Sequence, residues 1–250
     1  MQTTFTSVPL AAALALAAAM PAYAAGFSDA TVDPSGYTQL TFHTDPSVSV
    51  AVAAVGNGNP GAALALGYTN AGGPVNMVSM IGFINNAFSY DPGAQGALAS
   101  VDFSNDRFVD GGDAFLNASL VTYSRALIAQ GGHYYYAAIF DAGQPRQTWY
   151  TTAASGLTSA AFGLFDFTTG SFDATQHPDF SAGGGTLGFG FMNRFFLDTS
   201  GSPYALNATF GYDNIAVTLN AAPVPEPTSA ALLLAGLGVA AFIARRRRRR

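Results

Sequence analysis

Residues 25–222 predict an all-β fold of antiparallel strands closed as a sandwich or barrel, and three observations carry that expectation. Apolar residues alternate with small or polar ones at a period of two in one short segment after another. Clusters of Gly, Asn, Pro and Asp separate the segments at intervals of about 10–15 residues. The 20 Phe and 11 Tyr of the chain supply the apolar surface that a fold without cysteines has to bury.

In chain order, Thr38 to Thr44 (TQLTFHT) puts Leu40 and Phe42 on one face. Ser47 to Val55 (SVSVAVAAV) puts Val48, Val50 and Val52 on one face and serine or alanine on the other. Further strands are expected at Ala62–Tyr68, Val78–Ile84, Ala97–Phe103, Phe115–Tyr123 and Tyr134–Phe140. The pattern resumes at Gln147–Thr152, Phe162–Phe167, Leu187–Met192 and Ile215–Leu219. Gly56-Asn57-Gly58-Asn59-Pro60-Gly61, Asp91-Pro92-Gly93 and Gly183-Gly184-Gly185 punctuate them as turns. Arg125 to Gln130 is the one stretch that reads as a helical turn. No fixed period supports a propeller or solenoid.

The ends of the chain differ from this domain. Leu10 to Met20 is apolar and leads to Ala22-Tyr23-Ala24, an A-x-A cleavage site centred on Ala22 and Ala24, so residues 1–24 read as a cleavable signal peptide. No Lys or Arg precedes the apolar run, which leaves the terminal amine as its only positive charge. At the other end, Ser229 to Ala244 carries no charge over 16 residues. As a helix it spans about 24 Å, a little short of a hydrocarbon core of about 30 Å. Arginine stems that reach to the interface cover the difference. Arg245, Arg246, Arg247, Arg248, Arg249 and Arg250 follow as a topology stop held on the cytoplasmic side, which leaves the domain outside.

With its Val224-Pro225-Glu226-Pro227 motif, apolar run and basic end, the segment 223–250 resembles the PEP-CTERM sorting domain of Gram-negative bacteria. That resemblance implies recognition and cleavage by an exosortase at the inner membrane. It further implies passage to the cell envelope, surface or extracellular matrix.

Six of the ten basic residues lie in the tail, and fourteen of the fifteen acidic ones are aspartates of the domain. Four arginines against fourteen aspartates give residues 25–222 a net charge of −10, which argues against nucleic acid and anionic membrane surfaces as partners. Catalytic constellations are missing from the sequence. Glu226 is the only glutamate and lies in the tail, the three histidines stand apart, and neither a G-x-S-x-G elbow nor an HExxH motif occurs. The protein is therefore expected not to be an enzyme. The densest acidic stretch, Asp102, Asp106, Asp110 and Asp113, reads as a solvated loop.

Three phrases resemble the jelly-roll sandwiches of laminin G-like, concanavalin-like and carbohydrate-binding modules. They are GNPGAALAL (Gly58 to Leu66), Pro178-Asp179-Phe180-Ser181 with Leu187-Gly188-Phe189-Gly190-Phe191, and Gly211-Tyr212-Asp213-Asn214-Ile215. The resemblance implies a jelly-roll-like β-sandwich. It also implies a structural calcium site in which Asp213, entering the last strand, is joined by Asp29 or Asp33 near the first; the alternative is that Asp213-Asn214 only makes a turn. Trp149 and Tyr150 are the candidate sugar-stacking rings. The resulting expectation is a non-catalytic exported protein that associates with extracellular polysaccharide. A glycan-active enzyme working through aspartates, or a purely structural envelope protein, are the rivals.

Overall fold

The computed structural model describes residues 25–110, 119–138, 145–199 and 205–223, together with 236 and 245–247. Thirteen strands are described: β1 (Ala25–Asp29), β2 (Tyr37–His43), β3 (Ser49–Gly58), β4 (Gly61–Thr69), β5 (Asn76–Tyr90), β6 (Leu98–Asp110), β7 (Ser119–Gln130), β8 (His133–Ala138), β9 (Trp149–Leu157), β10 (Gly163–Phe165), β11 (Phe172–Asp173), β12 (Leu187–Asp198) and β13 (Asn207–Ala221). They form two antiparallel sheets. A six-stranded sheet runs β3-β4-β13-β6-β9, with β1 also paired to β13, and a seven-stranded sheet runs β11-β10-β8-β7-β12-β5-β2. The all-β sandwich expected from the sequence is the fold of the described residues between 25 and 222, which fall within one unit of the chain. Segments 1–22 and 223–250 belong to another, in which 236 and 245–247 are helical. The signal peptide, the Pro-Glu-Pro motif and the expected transmembrane helix fall outside the described residues. Among the described residues no helix is long and apolar enough to cross a membrane.

Period-two alternation sends one side of each sheet into a shared interior. Tyr68, Phe210 and Tyr212 of the six-stranded sheet meet Phe191 and Phe195 of the other. Ring centroids there are 4.7 Å apart for Tyr68–Phe195, 5.0 Å for Phe195–Phe210 and 4.6 Å for Phe191–Tyr212. A polar belt crosses this interior. Arg107 of β6 is fully buried; its Nη2 donates to Thr122 Oγ1 at 2.9 Å and its guanidinium stands 5.5 Å from the Tyr212 ring centroid. Asn193 Oδ1 accepts from Thr122 Oγ1 at 3.0 Å and from Tyr212 OH at 2.6 Å, and its Nδ2 donates to Tyr68 OH at 3.2 Å. A buried cation is tolerable only where hydrogen bonds and ring faces replace its water, and Thr122 and the Tyr212 ring supply part of that replacement.

The seven-stranded sheet is covered on its outer side as well. Met80, Ile84, Leu127, Phe165 and Met192 form a second buried cluster there, under an arm made by the turn of residues 166–171 that joins β10 to β11 at the edge of the same sheet. Phe167 of that turn lies on Gly82, where a Cβ would come within 2.8 Å of Phe167 Cζ and of Leu127 Cδ2. A glycine in β5 is what lets the arm sit down on the sheet.

Two expectations fail. Arg125 to Gln130 is not a helical turn but the end of β7, paired with β8 and β12. Good helix formers yield here to pairing on both sides. The acidic stretch is not a loop: Asp102, Asp106 and Asp110 lie within β6, at even spacing and hence on one face. Asp113 lies outside the described residues.

Candidate functional site

The outer face of the six-stranded sheet presents the side chains that β6, β9 and β13 do not send inward. Across the three strands they stand in rows fixed by the registers: Trp149–Phe108–Gly211, Thr151–Asp106–Asp213, Ala153–Ser104–Ala216, and Asp102–Thr218. Small side chains in the last two rows leave a groove of about 290 Å³, lined by Asp102, Ser104, Ala153, Ser155, Ala216 and Thr218 with the backbone around Phe103 and Ala154. Asp102 is set in its wall by a hydrogen bond from the Gly156 N–H to its Oδ1 at 2.6 Å. Gly156 has a φ of +67° at the point where the β6–β9 register slips, a conformation that glycine adopts without strain.

Trp149 occupies the same face, four residues along β9 from Ala153, about 13 Å at strand rise. Its indole is half-buried and tilted against Phe108 at 5.6 Å, and its Nε1 donates to the Asn57 carbonyl at 3.1 Å. The ring lies over Gly211, where a Cβ would be 2.8 Å from Trp149 Cη2. A ring held by its edge, over a residue without a side chain, is a fixed platform rather than a mobile one. Tyr150, the neighbouring candidate, alternates to the other side of β9. It packs against the interior cluster, and its hydroxyl accepts from Arg107 Nη1 at 3.4 Å, so it does not share a sugar platform with Trp149.

Between the indole and the groove stand Asp106 and Asp213, opposite one another on β6 and β13. Asp106 accepts from Thr151 Oγ1 at 2.5 Å, Asn214 Nδ2 at 2.8 Å and Asn59 Nδ2 at 3.1 Å. Asp213 is fully buried and accepts from the Asn59 N–H at 2.5 Å and the Asn214 N–H at 2.8 Å. Asn214 has a φ of +48° where the β13 register shifts. The two carboxylates therefore clamp the β3–β4 turn onto β6 and β13. Asp29 turns elsewhere, accepting from Tyr37 OH at 2.8 Å and Asn85 Nδ2 at 3.3 Å, and Asp33 caps the turn before β2 by accepting from the Ser35 N–H at 2.9 Å. Burial, and then the bond to Asp29, hold the Tyr37 phenol well above its ordinary range. The expected grouping of Asp213 with Asp29 or Asp33 is thus not what the fold makes. With N–H donors aimed at its oxygens, the Asp213 set fits a hydrogen-bonded anchor and does not fit calcium, which requires oxygen ligands. Among the described residues no three Asp, Glu, His or Cys side chains converge as metal ligands.

The sequence singles out Trp149 as a stacking ring and Asp213 as a metal ligand, and the fold places both on this face. The groove was not legible there, because Asp102, Ser104, Ala216 and Thr218 come together only through the β6–β13 register. Arg107 was missed altogether, since an arginine directly after an aspartate reads as half of a solvated charge pair and carries no signal of burial.

Residues 223–249 match the PEP-CTERM protein-sorting motif. The chain thus carries the signal of an exported protein that is sorted to the envelope of Gram-negative bacteria and processed by an exosortase. No curated protein matches the chain in sequence. Among solved structures it is similar to a carbohydrate-binding module from the β-sandwich superfamily described for promiscuous specificity. The identity is 8% over 72% of this chain and 56% of that one, with a TM-score of 0.37, so this chain spans little over half the length of that structure. It is also similar to the C-terminal family 22 carbohydrate-binding module of Clostridium thermocellum Xyn10B, at 12% identity over 77% of this chain and 99% of that one, with a TM-score of 0.33.

Proposed function

We propose that this is a non-catalytic glycan-binding protein of the cell envelope or extracellular matrix, and that a polysaccharide lies along the outer face of the six-stranded sheet. The observation that carries the reading is one face that joins a fixed, half-buried indole to an open groove of hydroxyl, methyl and carboxylate groups. A pyranose offers a C–H face to a ring and hydroxyls to small polar side chains, which is what these rows supply. The aspartates nearest the indole support a binding role over hydrolysis. Asp106 and Asp213 are held by amide, hydroxyl and backbone donors, and neither stands free beside a water-filled space as a general acid or base must.

Trp149 is the single tryptophan of the chain, so its emission reports on this face alone. The full chain in detergent is titrated with a panel of neutral polysaccharides. At least one should shift Trp149 emission saturably, and Trp149→Ala should weaken its retention in an affinity gel by tenfold or more. Unchanged emission with every polysaccharide, or undiminished retention of the variant, would overturn the reading.

A further inference from the structure

We infer that the uncovered part of the seven-stranded sheet's outer face is a second glycan site, one that takes a polysaccharide bearing uronate carboxylates. This rests on the reading of the protein as a glycan binder but not on the groove, which lies on the other sheet. Phe172 of β11 is the exposed large apolar side chain of the described residues, 48% accessible, and it stacks on Tyr136 with ring centroids 4.7 Å apart and ring planes 27° from parallel. The run continues with Arg125, whose guanidinium is 5.7 Å from the Tyr136 centroid and 4.9 Å from that of Tyr123. Arg194 ends it, 6.0 Å from the other reach of Tyr123. Ring, ring, cation, ring and cation thus form a continuous strip along β11, β8, β7 and β12.

The charge is out of character with the rest of the domain, where four arginines stand among fourteen aspartates. Arg107 is buried in the interior and Arg146 lies in the turn before β9; the other two share this strip and the Tyr123 ring between them. Arg194 makes no hydrogen bond or ion pair to a described residue, and its guanidinium stands over the Tyr123 ring. Both arginines act on the Tyr136 hydroxyl, which burial pushes up and their positive field draws back. A flat ring next to fork-shaped donors matches a sugar whose C–H face carries an in-plane carboxylate, the geometry that guanidinium bonds in pairs. A neutral sugar offers nothing for those donors to discharge, and a ringless polyanion nothing for Phe172 to stack on.

The full chain in detergent is tested against polygalacturonate, dextran and poly-L-glutamate by affinity gel and titration calorimetry. Polygalacturonate should bind, with at least tenfold loss in Arg194→Gln, a comparable loss in Phe172→Ala, partial recovery in Arg194→Lys and no change in Trp149→Ala. Melting curves of each variant establish that it is folded. Equal binding of poly-L-glutamate, or a silent Phe172→Ala, would reduce the strip to unspecific charge and overturn the inference. So would loss of polygalacturonate binding in Trp149→Ala, or no binding at all. A neutral polysaccharide that still shifts Trp149 emission would then leave the groove standing by itself.

Discussion

The two sheets share an interior but treat their outer faces in opposite ways. On the six-stranded sheet the outward positions of β6, β9 and β13 are small or polar apart from Phe108 and Trp149, and the face stays open as a groove. On the seven-stranded sheet the outward positions of β2, β5, β7 and β12 include Leu40, Phe42, Val78, Met80, Ile84, Leu127 and Met192, and the chain folds its own arm across them. A sheet face of this kind cannot be left in water, since each large apolar side chain gains about 1.5–3 kcal/mol by burial. The lesson concerns placement. The open face is available to a ligand because its side chains need no cover, whereas the covered face offers a ligand only what lies beyond the arm.

Breaking the arm should give the largest effect. Phe165 is buried among Phe42, Tyr136 and Phe167, so Phe165→Ala is expected to cost about 3–5 kcal/mol and to lower the melting temperature by roughly 10 °C. Calorimetry checks this; a loss below about 1 kcal/mol would mean that the arm is not part of the core. The shared interior responds instead to alkali. Burial pushes the Tyr68 phenol up to about 12, above its unfolded value near 10. Its contribution is complete below pH 10 and is lost as pH rises towards 12, because the unfolded chain releases that proton first. Unfolding free energy from denaturant titrations should fall accordingly between pH 8 and 11.5, by roughly 2 kcal/mol, and Tyr68→Phe should flatten the slope.

Smaller effects belong to the open face. Asp213→Ala removes a buried acceptor from the Asn59 and Asn214 N–H groups and should cost about 1–3 kcal/mol. Chelator should leave the melt of the unaltered chain in place, and calcium and magnesium should act alike by screening the acidic domain. A calcium-specific rise that disappears in Asp213→Ala would restore the metal reading. Trp149→Ala should cost least, under about 1.5 kcal/mol, because the indole is only half-buried. If it proved as damaging as Phe165→Ala, the two outer faces would not differ as described.

The same contrast explains what could be read in advance. Strands with one wet face, such as Ser49–Gly58, announce themselves by alternation. Strands covered on both faces do not, so β12, Leu187–Asp198, reads clearly only over its first half, and RALIAQ in β7 is as apolar as a helix would be. Acidic residues four apart read as a loop because charge density is a local property, while the pairing of β6 with β9 and β13 is not. The second cluster was invisible for a related reason: Gly82 and Phe167 lie far apart in the chain, and only the folded arm shows that one is the seat of the other.

The place of β13 has a mechanical consequence. This strand ends at Ala221, two residues before the sorting segment begins; β6 flanks it from Thr209 to Ala221 on one side, while on the other β4 pairs with Asn207–Tyr212 and β1 with Ile215–Leu219. Whatever holds the protein through its C-terminal end therefore pulls on an inner strand rather than on a sheet edge. Traction along that strand loads its hydrogen bonds to both neighbours together, in shear, instead of opening them one after another. Asp213, clamped to the β3–β4 turn, lies in the same strand and adds a lateral stop. The proposed glycan groove is built on the same strand, so a load between tether and ligand would run along β13 itself.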